Sequence, residues 1–429
     1  MSAATEGSAI LFGVTASNSG LLPTPREPLH VGMLVASDYA SDGRVRRQAE
    51  ALVERGDEVT VLALKAQGRE DIEMIEGVRV VHLPVSKYRG DSSGGYLKLY
   101  GSFALHSGLR LARRPRRFDL VQAHSMPEAL VFCTAVQRAM RLPVVLDVHD
   151  LTSELFSSKF EGRTALMRAI RFSERASFRF SSEVLTVHES YADMLRGMTR
   201  TRVTTVMNCP DDKMFRPRVF REWSTTGADG RSASSRAENV VFGYHGLIAP
   251  RHGLVQVVEA LAKVRADAPG AQLRLWGSGD GIDQVRERVD ALGLGDAVRL
   301  PDGLVPIDKM TAELDQVHIG VLASQLDPWT RHVLPNKLME YAVMGIPVIT
   351  FRNPVIERYF PDDAVTYVDP ASPENLHKAM LTLIKDPARA RTQVAAAQKV
   401  MAGRTWRHQR EHYYDVIDRM VARRRGRSD

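Results

Sequence analysis

Short apolar segments alternate with longer amphipathic segments along most of the chain. The segment from His30 to Ala36 is apolar, Val45, Ala49 and Leu52 recur at helical spacing, and residues 58–63 are apolar again. A strand, a crossover helix and a second strand of this kind predict a parallel pair. The same criteria predict four more strands in the first half, at 78–83, 120–123, 144–148 and 184–187.

The alternation returns in the second half, with helices predicted at Gly253 to Val264 and Ile282 to Leu292. Residues 224–237 are rich in Ser, Gly, Ala and Arg without apolar periodicity, which indicates a linker with a flexible insertion. Trp406 to Arg423 predicts a strongly basic final helix. Strands are predicted at 240–244, 272–276, 297–300, 319–323, 347–351 and 364–368.

We therefore predict the α/β class, with two consecutive doubly wound domains. A length of 429 residues also exceeds one ordinary core. The predicted organisation is a flexible arm at 1–28, a first domain at 29–217 completed by the final helix at 406–423, a linker at 218–238 and a second domain at 239–405.

Composition is that of a globular protein, with 44% hydrophobic and 25% charged residues. No apolar run is long enough to cross a bilayer, and the first residues lack the basic region of a signal peptide. Two cysteines, Cys133 and Cys209, stand in no metal or redox spacing. They fit a reducing compartment, so we expect a cytoplasmic location.

The net charge of +7 comes from arginine clusters at 110–117 and 423–427. Such clusters suit a membrane surface, anionic substrates or nucleic acid, and a solvated basic face is the alternative. No nucleic-acid-binding motif accompanies them, so we expect no nucleic-acid partner. Peripheral contact with the cytoplasmic face of a membrane stays open.

The segment Leu334 to Ile349 carries the strongest chemical signal. Pro335 suits the first turn of a short helix, and the N–H groups that begin it at Asn336 and Lys337 form an anion site. Glu340 follows one turn later and can accept hydrogen bonds from a diol. A phosphate beside a sugar hydroxyl indicates a nucleotide diphosphate, whereas an ordinary helix–strand unit is the alternative.

Other candidate residues fall where predicted strands end, which is where parallel sheets bind ligands. His149 follows the strand at 144–148 and has Asp150 beside it. Arg251 and His252 open a helix after a sheet loop, a position suited to phosphate. Each also has an ordinary structural interpretation. Two sets of such loops, one from each domain, predict a cleft between the domains.

The motifs of several other enzyme classes are missing from the sequence. Gly277-Ser278-Gly279 would need a third glycine at position 282 to form a dinucleotide fingerprint, and that residue is Ile282. H-E-x-x-H, C-x-x-C and D-x-D do not occur, so no metal site is predicted. The G-x-S-x-G elbow of hydrolases is also absent.

Taken together, these segments resemble glycosyltransferase family four, retaining enzymes of the GT-B fold. The resemblance runs from about residue 29 to 420, and its most diagnostic part extends from Pro335-Asn336-Lys337 through Glu340 to Ile349. The other matching segments are 42–45, 56–61, 119–124, 147–151, 187–189, 208–217, 244–253 and 277–279.

The resemblance implies a nucleotide-diphosphate sugar as donor and co-substrate, with no other cofactor. The second domain would hold the donor, the first would hold the acceptor, and the last helix would cross back onto the first domain. The resemblance also implies roles for single residues: Glu340 would contact the ribose, and Asn336 and Lys337 would contact the diphosphate or the sugar. His149 would contact the transferring sugar. Gly43 would let the first loop approach the diphosphate, and Leu304-Val305 would lie against the base.

The sequence departs from the family pattern at two places. The family often has a glutamate eight residues before Glu340, where this chain has His332. The usual cations of its phosphate loop correspond to Leu247 and His252, which makes the adjacent Arg251 the candidate replacement. The predicted catalytic residues are His149, Arg251 and His252, and the predicted donor-binding residues are Gly43, Val305, His332, Pro335, Asn336, Lys337 and Glu340.

These observations lead us to expect a metal-independent retaining glycosyltransferase with a hydroxyl acceptor, either a polysaccharide or a lipid-linked glycan precursor. Two alternatives remain at this stage. One is a nucleotide-sugar epimerase of the same architecture. The other is a catalytically silent binding partner, suggested by His332 and Leu247.

Overall fold

The computed structural model of the chain describes residues 27–66, 68–88, 90, 92–159, 164–223, 239–303, 305 and 307–426. The predicted arm lies outside these residues except for its last two positions. The Ser/Gly-rich segment 224–237 and Leu304 also lie outside them.

Eight strands form the first sheet: β1 (His30–Leu34), β2 (Glu58–Leu64), β3 (Ile72–Ile75), β4 (Val78–Leu83), β5 (Leu120–His124), β6 (Val144–Val148), β7 (Glu183–Thr186) and β8 (Val203–Thr205). Their spatial order is β3-β4-β2-β1-β5-β6-β7-β8. The edge strand β3 pairs antiparallel with β4, and the other pairs are parallel.

The helices of this half are α1 (Gly43–Glu54), α2 (Ser93–Arg113), α3 (Ala135–Ala139), α4 (Thr152–Lys159), α5 (Thr164–Phe180) and α6 (Glu189–Met198). Short 3-10 helices occur at Tyr39–Ser41 and Glu128–Thr134. Apolar residues of the central strands are fully buried between the helical layers, as expected for a sheet covered on both faces.

Six parallel strands form the second sheet: β9 (Val241–Leu247), β10 (Gln272–Ser278), β11 (Val298–Arg299), β12 (Ile319–Leu322), β13 (Val348–Phe351) and β14 (Thr366–Val368). Their order is β11-β10-β9-β12-β13-β14. The helices are α7 (Leu254–Asp267), α8 (Ile282–Ala291), α9 (Ile307–Leu314), α10 (Asn336–Val343), α11 (Pro354–Tyr359), α12 (Pro373–Lys385) and α13 (Pro387–Met401), with 3-10 helices at Pro250–His252 and Thr330–His332.

The last helix, α14 (Trp406–Arg425), returns to the first half of the chain. Its buried residues Val416, Ile417 and Met420 join the same apolar cluster as residues of β1. The Tyr413 hydroxyl donates a hydrogen bond to Gln122 Oε1 of β5 at 2.9 Å. The predicted crossing of the final helix is therefore confirmed.

The predicted α/β class with two doubly wound sheets is confirmed, and each predicted strand is present within a few residues of its expected ends. Two strands were missed. β3 alternates exposed and half-buried residues at the sheet edge, and β8 has only three residues, so neither forms an apolar run. Among the helices within the described ranges, none combines the length and apolarity that a bilayer-spanning helix requires.

Candidate functional site

The amino end of α10 is built by local sequence. Pro335 occupies the N-cap, one position before the predicted first turn, with extended backbone angles (φ −66°, ψ 127°). The Leu338 N–H donates to Pro335 O at 3.1 Å, so the N–H groups of Asn336 and Lys337 have no acceptor within the helix. Gly345, which follows the C-cap of α10, has a left-handed φ of 71° and ends the helix.

This helix end opens into a cavity of about 250 Å³ between the two halves of the chain. The loops that follow strands of both sheets meet there, as the sequence predicted. The first half contributes His149, Asp150, Val187, His188, Tyr191 and Asn208. The second half contributes Tyr244, His252, Ser324, Trp329, His332, Pro335, Asn336 and Lys337 among its lining residues.

Lys337 places a cation in this cavity. Its Nζ lies 5.0 Å from the centroid of the Tyr244 ring and forms no hydrogen bond to any residue in the described ranges. Burial lowers the pKa of Lys337, while Glu340 acts in the opposite direction. A side chain at Gly246 (φ 107°) would place its Cβ 2.7 Å from Lys337 Cε, so glycine leaves the room that Lys337 occupies.

Glu340 is held one turn further along α10 and is not among the residues that line the cavity. Its Oε2 accepts a hydrogen bond from His245 Nε2 at 2.6 Å. The other ring nitrogen of His245 lies 3.0 Å from the Tyr341 hydroxyl. One carboxylate oxygen of Glu340 is therefore already engaged within the protein.

His149 is held on the opposite wall by a buried carboxylate. Its ring Nε2 lies 3.2 Å from Asp147 Oδ2, and its backbone N–H donates to Ser125 Oγ at 2.9 Å. Asp147 also accepts two hydrogen bonds from the Arg44 guanidinium, at 3.0 and 2.7 Å. Burial acts to raise the pKa of Asp147, but Arg44 and then His149 hold it well below its ordinary value.

The support beneath His149 extends to the final helix. Gln48 Nε2 donates to Asp147 Oδ2 at 2.8 Å, and Gln122 Nε2 donates to Gln48 Oε1 at 2.5 Å. Gln122 in turn accepts the hydrogen bond from Tyr413 of α14. Sequence reasoning missed this network. Its one local signal was an aspartate in the middle of the otherwise apolar strand β6.

The same wall brings together three groups that could ligate a metal ion. Atoms of His124, Asp147 and His149 lie within 4.8 Å of one another. Asp147 already pairs with the buried Arg44 guanidinium, however, and a metal ion there would compete with that charge for the same carboxylate. We therefore interpret the cluster as a hydrogen-bonding support.

His252 is buried as a structural part of its loop. Its Nδ1 lies 2.7 Å from Leu247 O and 3.0 Å from the Tyr244 hydroxyl. Burial, and then the charge of Lys337, lowers the pKa of His252 to about 4. His252 is therefore neutral near pH 7 and lines the cavity as a polar group, so the expected loop cation is not supplied by this residue.

Arg251 is not among the cavity-lining residues. Its guanidinium lies 5.0 Å from the centroid of the Trp329 ring. Trp329 in turn donates from Nε1 to Asp150 Oδ1 of the first half at 3.1 Å. Burial raises the pKa of Asp150, and His149 acts against that rise. Arg251 therefore packs against Trp329, whose hydrogen bond to Asp150 joins the two halves of the chain.

His332 lies at a second contact between the halves. Its carbonyl oxygen lies 3.0 Å from His188 Nε2, and its ring Nε2 lies 3.6 Å from Glu154 Oε1. Burial raises the pKa of Glu154 to about 7, and Tyr191 donates a hydrogen bond to the same carboxyl group. The carboxyl group of Glu154 in α4 therefore lies beside His332, the position at which the family often has a glutamate.

Besides Glu340, two more predicted donor residues lie apart from the cavity. Gly43 begins α1, and a Cβ there would have only Arg47 Nη1 near it, at 4.0 Å. Val305 is half-buried against the core of the second half. Of the ten predicted residues, the cavity brings together six: His149, His252, His332, Pro335, Asn336 and Lys337.

Comparison with known proteins explains the arrangement. Residues 43–209 match the model of the glycosyl transferase 4-like domain, and residues 239–386 match that of the glycosyl transferases group 1. The chain is 26% identical over 395 residues to the 2-deoxystreptamine N-acetyl-D-glucosaminyltransferase of Streptomyces fradiae, covering 88% of this chain and 90% of that protein. An exopolysaccharide phosphotransferase of Streptomyces coelicolor is 30% identical over 149 residues, which are 34% of this chain and only 15% of the relative's length.

Solved structures share the whole architecture. Sucrose-phosphate synthase from Thermosynechococcus elongatus superposes with a TM-score of 0.71 at 18% identity, over 92% of this chain and 99% of that one. Anabaena HepE in complex with UDP and glucose gives a TM-score of 0.66 at 14% identity, over 91% and 99% of the two chains. Two domain models in series and this shared fold lead to one conclusion: the chain belongs to the group 1 glycosyltransferases of the family-four type and is a transferase with the GT-B fold.

Proposed function

We propose that this enzyme transfers a sugar, with retention of its anomeric configuration, from a nucleotide-diphosphate sugar to a hydroxyl group of a glycan or a lipid-linked glycan precursor. The observation that carries the proposal is the amino end of α10. Its free N–H groups and the Lys337 ammonium face His149 across one cavity.

The donor diphosphate fits the wall of the cavity that the second half of the chain forms, which we call the second-half wall; the first half forms the first-half wall. The N–H groups of Asn336 and Lys337 donate to anionic oxygens, and the Lys337 charge neutralises the departing diphosphate. Burial lowers the pKa of Lys337 and so disfavours its charged form, which an anion beside it would stabilise. Glu340 lies beyond the cavity lining, so its second carboxylate oxygen would accept from the ribose hydroxyl of a donor that extends past the cavity, while His245 holds the first oxygen.

The transferring sugar and the acceptor fit the first-half wall. His149 would contact the sugar, its ring oriented by Asp147. In the step that we propose, the acceptor hydroxyl attacks the anomeric carbon on the face of the leaving group. The bond from that carbon to the diphosphate oxygen breaks, and a donor phosphate oxygen takes the hydroxyl proton.

The wall formed by the second half of the chain supports a reaction without a metal ion. Lys337 and the helix N–H groups supply positive charge where the diphosphate would leave, which is the task of a metal ion in other transferases. The relative from Streptomyces fradiae is named for transfer of N-acetyl-D-glucosamine to 2-deoxystreptamine. A hydroxyl acceptor at the cytoplasmic side, free or held in a membrane, is consistent with that chemistry.

Screening nucleotide sugars by thermal shift, followed by mass spectrometry of products, tests the proposal. We expect one nucleotide series to raise the melting temperature, and nucleotide release to require an acceptor and to persist in EDTA. Nuclear magnetic resonance of the product should show the anomeric configuration of the donor. An inverted product would refute retention, and activity lost in EDTA and restored by a divalent cation would refute metal independence.

The same assay separates the two alternatives. Conversion of the donor sugar without any acceptor would favour an epimerase. Nucleotide binding without transfer across a broad panel of acceptors would favour a silent binding partner.

A further inference from the structure

The first half of the chain exposes an apolar row along α2. Leu97, Leu105 and Leu109 have exposed fractions of 75%, 59% and 48%. They follow one another at multiples of four residues, so they share one side of the helix. The opposite side, with Leu99, Phe103 and Leu111, is buried in the core. The solvent-facing side of this helix therefore presents three leucines, with the exposed Lys98 on the same side, where a surface helix is usually polar.

Neighbouring elements widen this apolar surface. The 3-10 helix Glu128–Thr134 and α3 both pack against α2. They expose Phe132 and Val136, with exposed fractions of 39% and 40%. We call Leu97, Leu105, Leu109, Phe132 and Val136 the apolar patch.

An arginine-lined cavity adjoins the carboxyl end of α2. Its volume is about 320 Å³, and five guanidinium groups line it together with Thr60, Leu62 and Phe118. None of the five pairs with a carboxylate in the described part of the chain. Because the five guanidinium groups line one cavity, burial and then the like charges of the other four lower the pKa of Arg110. We call Arg79, Arg110, Arg113, Arg114 and Arg117 the arginine cluster.

The patch and the cluster form one continuous surface. Arg113 continues the same row four residues after Leu109. α2 has 21 residues and is therefore about 30 Å long. It leads from the carboxyl end of β4 to the amino end of β5, so its first turns lie on the side of the sheet where the cavity between the halves opens.

We propose that this surface docks on an anionic lipid membrane, with the apolar patch entering the headgroup region and the arginine cluster binding lipid phosphates. Leucines beside unpaired arginines on one helix are the features that hold a helix in the plane of a membrane surface. A nucleic acid would match the arginines but leave the leucines unexplained. A second copy of the chain would match the leucines but bring further unpaired guanidinium groups into the contact.

Docking deepens the proposed function, because it places the enzyme where a lipid-linked acceptor resides. It rests on that proposal only for the acceptor, since the surface itself lies apart from the catalytic cavity. Binding to lipid can therefore be measured without any transfer reaction.

Cosedimentation of the full chain with vesicles tests the docking surface. We expect binding to vesicles of phosphatidylcholine mixed with phosphatidylglycerol, and at least about tenfold weaker binding to phosphatidylcholine alone at physiological ionic strength. Leu105→Glu and, separately, the pair Arg113→Glu and Arg114→Glu should each weaken binding to the mixed vesicles by about tenfold or more. Leu326→Glu, at an exposed leucine of the second half, is the control for Leu105→Glu, and the pair Arg286→Glu and Arg299→Glu, at exposed arginines of the second half, is the control for the arginine pair; both should bind as the wild type does.

Several outcomes would overturn the docking surface. These are equal binding of the wild type to both vesicle types, variants that bind like the wild type, and a dimer in analytical ultracentrifugation that Leu105→Glu dissociates. Binding of inorganic phosphate that Arg113→Glu abolishes, without any vesicle binding, would assign the cluster to a free anion instead.

Failure of this surface and failure of the proposed function are distinguishable. All variants keep the residues that line the cavity between the two halves, so circular dichroism and the thermal shift with nucleotide should match those of the wild type. Vesicle binding without sugar transfer would leave the surface intact and reject the proposed function. Sugar transfer to a water-soluble acceptor without vesicle binding would do the reverse.

Discussion

The two walls of the cavity are built on opposite electrostatic principles. On the first-half wall, His149 rests on Asp147, whose charge is matched by Arg44 and whose oxygens accept further bonds from Gln48. On the second-half wall, Lys337 Nζ and the first N–H groups of α10 have no anionic partner among the residues that the structure describes. The charge of Asp147 on the first-half wall is thus paired within the protein, whereas the charge of Lys337 on the second-half wall is available to an anionic ligand.

This difference separates positioning from binding. A paired, buried charge fixes the geometry of its neighbours but gives little to a ligand, because its field is already compensated. An unpaired cation at a helix end gives little to the free protein but much to an anionic ligand. We therefore expect changes on the first wall to affect stability and turnover, and changes on the second wall to affect donor affinity.

The largest effect should come from Asp147→Ala. The change leaves the Arg44 guanidinium buried without its partner, which typically costs about 3–5 kcal/mol in the free energy of unfolding. Urea unfolding followed by circular dichroism measures the loss. Asp296→Ala is the control, because its pair with Arg265 lies at the surface and should matter little. A loss for Asp147→Ala no larger than that of the control would contradict a compensated first wall.

The pH dependence of stability should expose the neutral state of His252. Its pKa is lowered to about 4, whereas an unfolded histidine titrates near about 6.5. Between these values the unfolded chain binds the additional proton, so the wild type loses stability as the pH falls from about 6.5 to about 4, and this residue has no such effect above that range. The His252→Gln variant lacks this loss, and the difference should grow to the order of 3 kcal/mol.

Unfolding curves for the wild type and His252→Gln across this pH range provide the measurement. Parallel pH profiles would show that His252 titrates alike in the folded and unfolded chains. In that case His252, and not Lys337 alone, could supply the charge of the second wall.

Lys337→Met should weaken donor binding while keeping the side-chain stem against Tyr244. Loss of a hydrogen bond to a charged group is typically about 1.5–3 kcal/mol, which corresponds to roughly tenfold to a hundredfold in Kd. Calorimetric titration with the donor nucleotide measures the change, and the exposed Lys385→Met is the matched control. Unchanged donor affinity in a folded Lys337→Met variant would reject the role of Lys337 in binding the diphosphate.

His149→Ala should have the converse and smallest effect. We expect turnover to fall by about tenfold, the cost of one lost contact to the reacting sugar, while donor Kd changes little. Steady-state kinetics and calorimetry on the same preparation separate the two quantities. Wild-type turnover would place His149 outside the reaction, and a matching rise in Kd would make it a binding residue like Lys337.

Much of the site was predictable because its signals are local. The helix start after Pro335 and the stop at Gly345 depend on residues within two turns of each other, and the structure places both within one residue of expectation. The strand ends that carry His149 and His252 follow from apolar runs that stop abruptly. Gly43 and Val305 were predicted from resemblance alone, and no contact brings them into the cavity.

The sequence by itself determined the order of strands and helices, the two-sheet architecture and the identity of the helix end that offers its N–H groups. Hydrophobic periodicity, capping and glycine stops decide these features within short segments of chain. Tertiary structure alone decided that Arg44 meets Asp147, that Glu154 meets His332, and that Tyr413 reaches Gln122 from the final helix. Those pairs join residues far apart in the chain, and only the order of the strands within the sheet and the contact between the two halves bring them together.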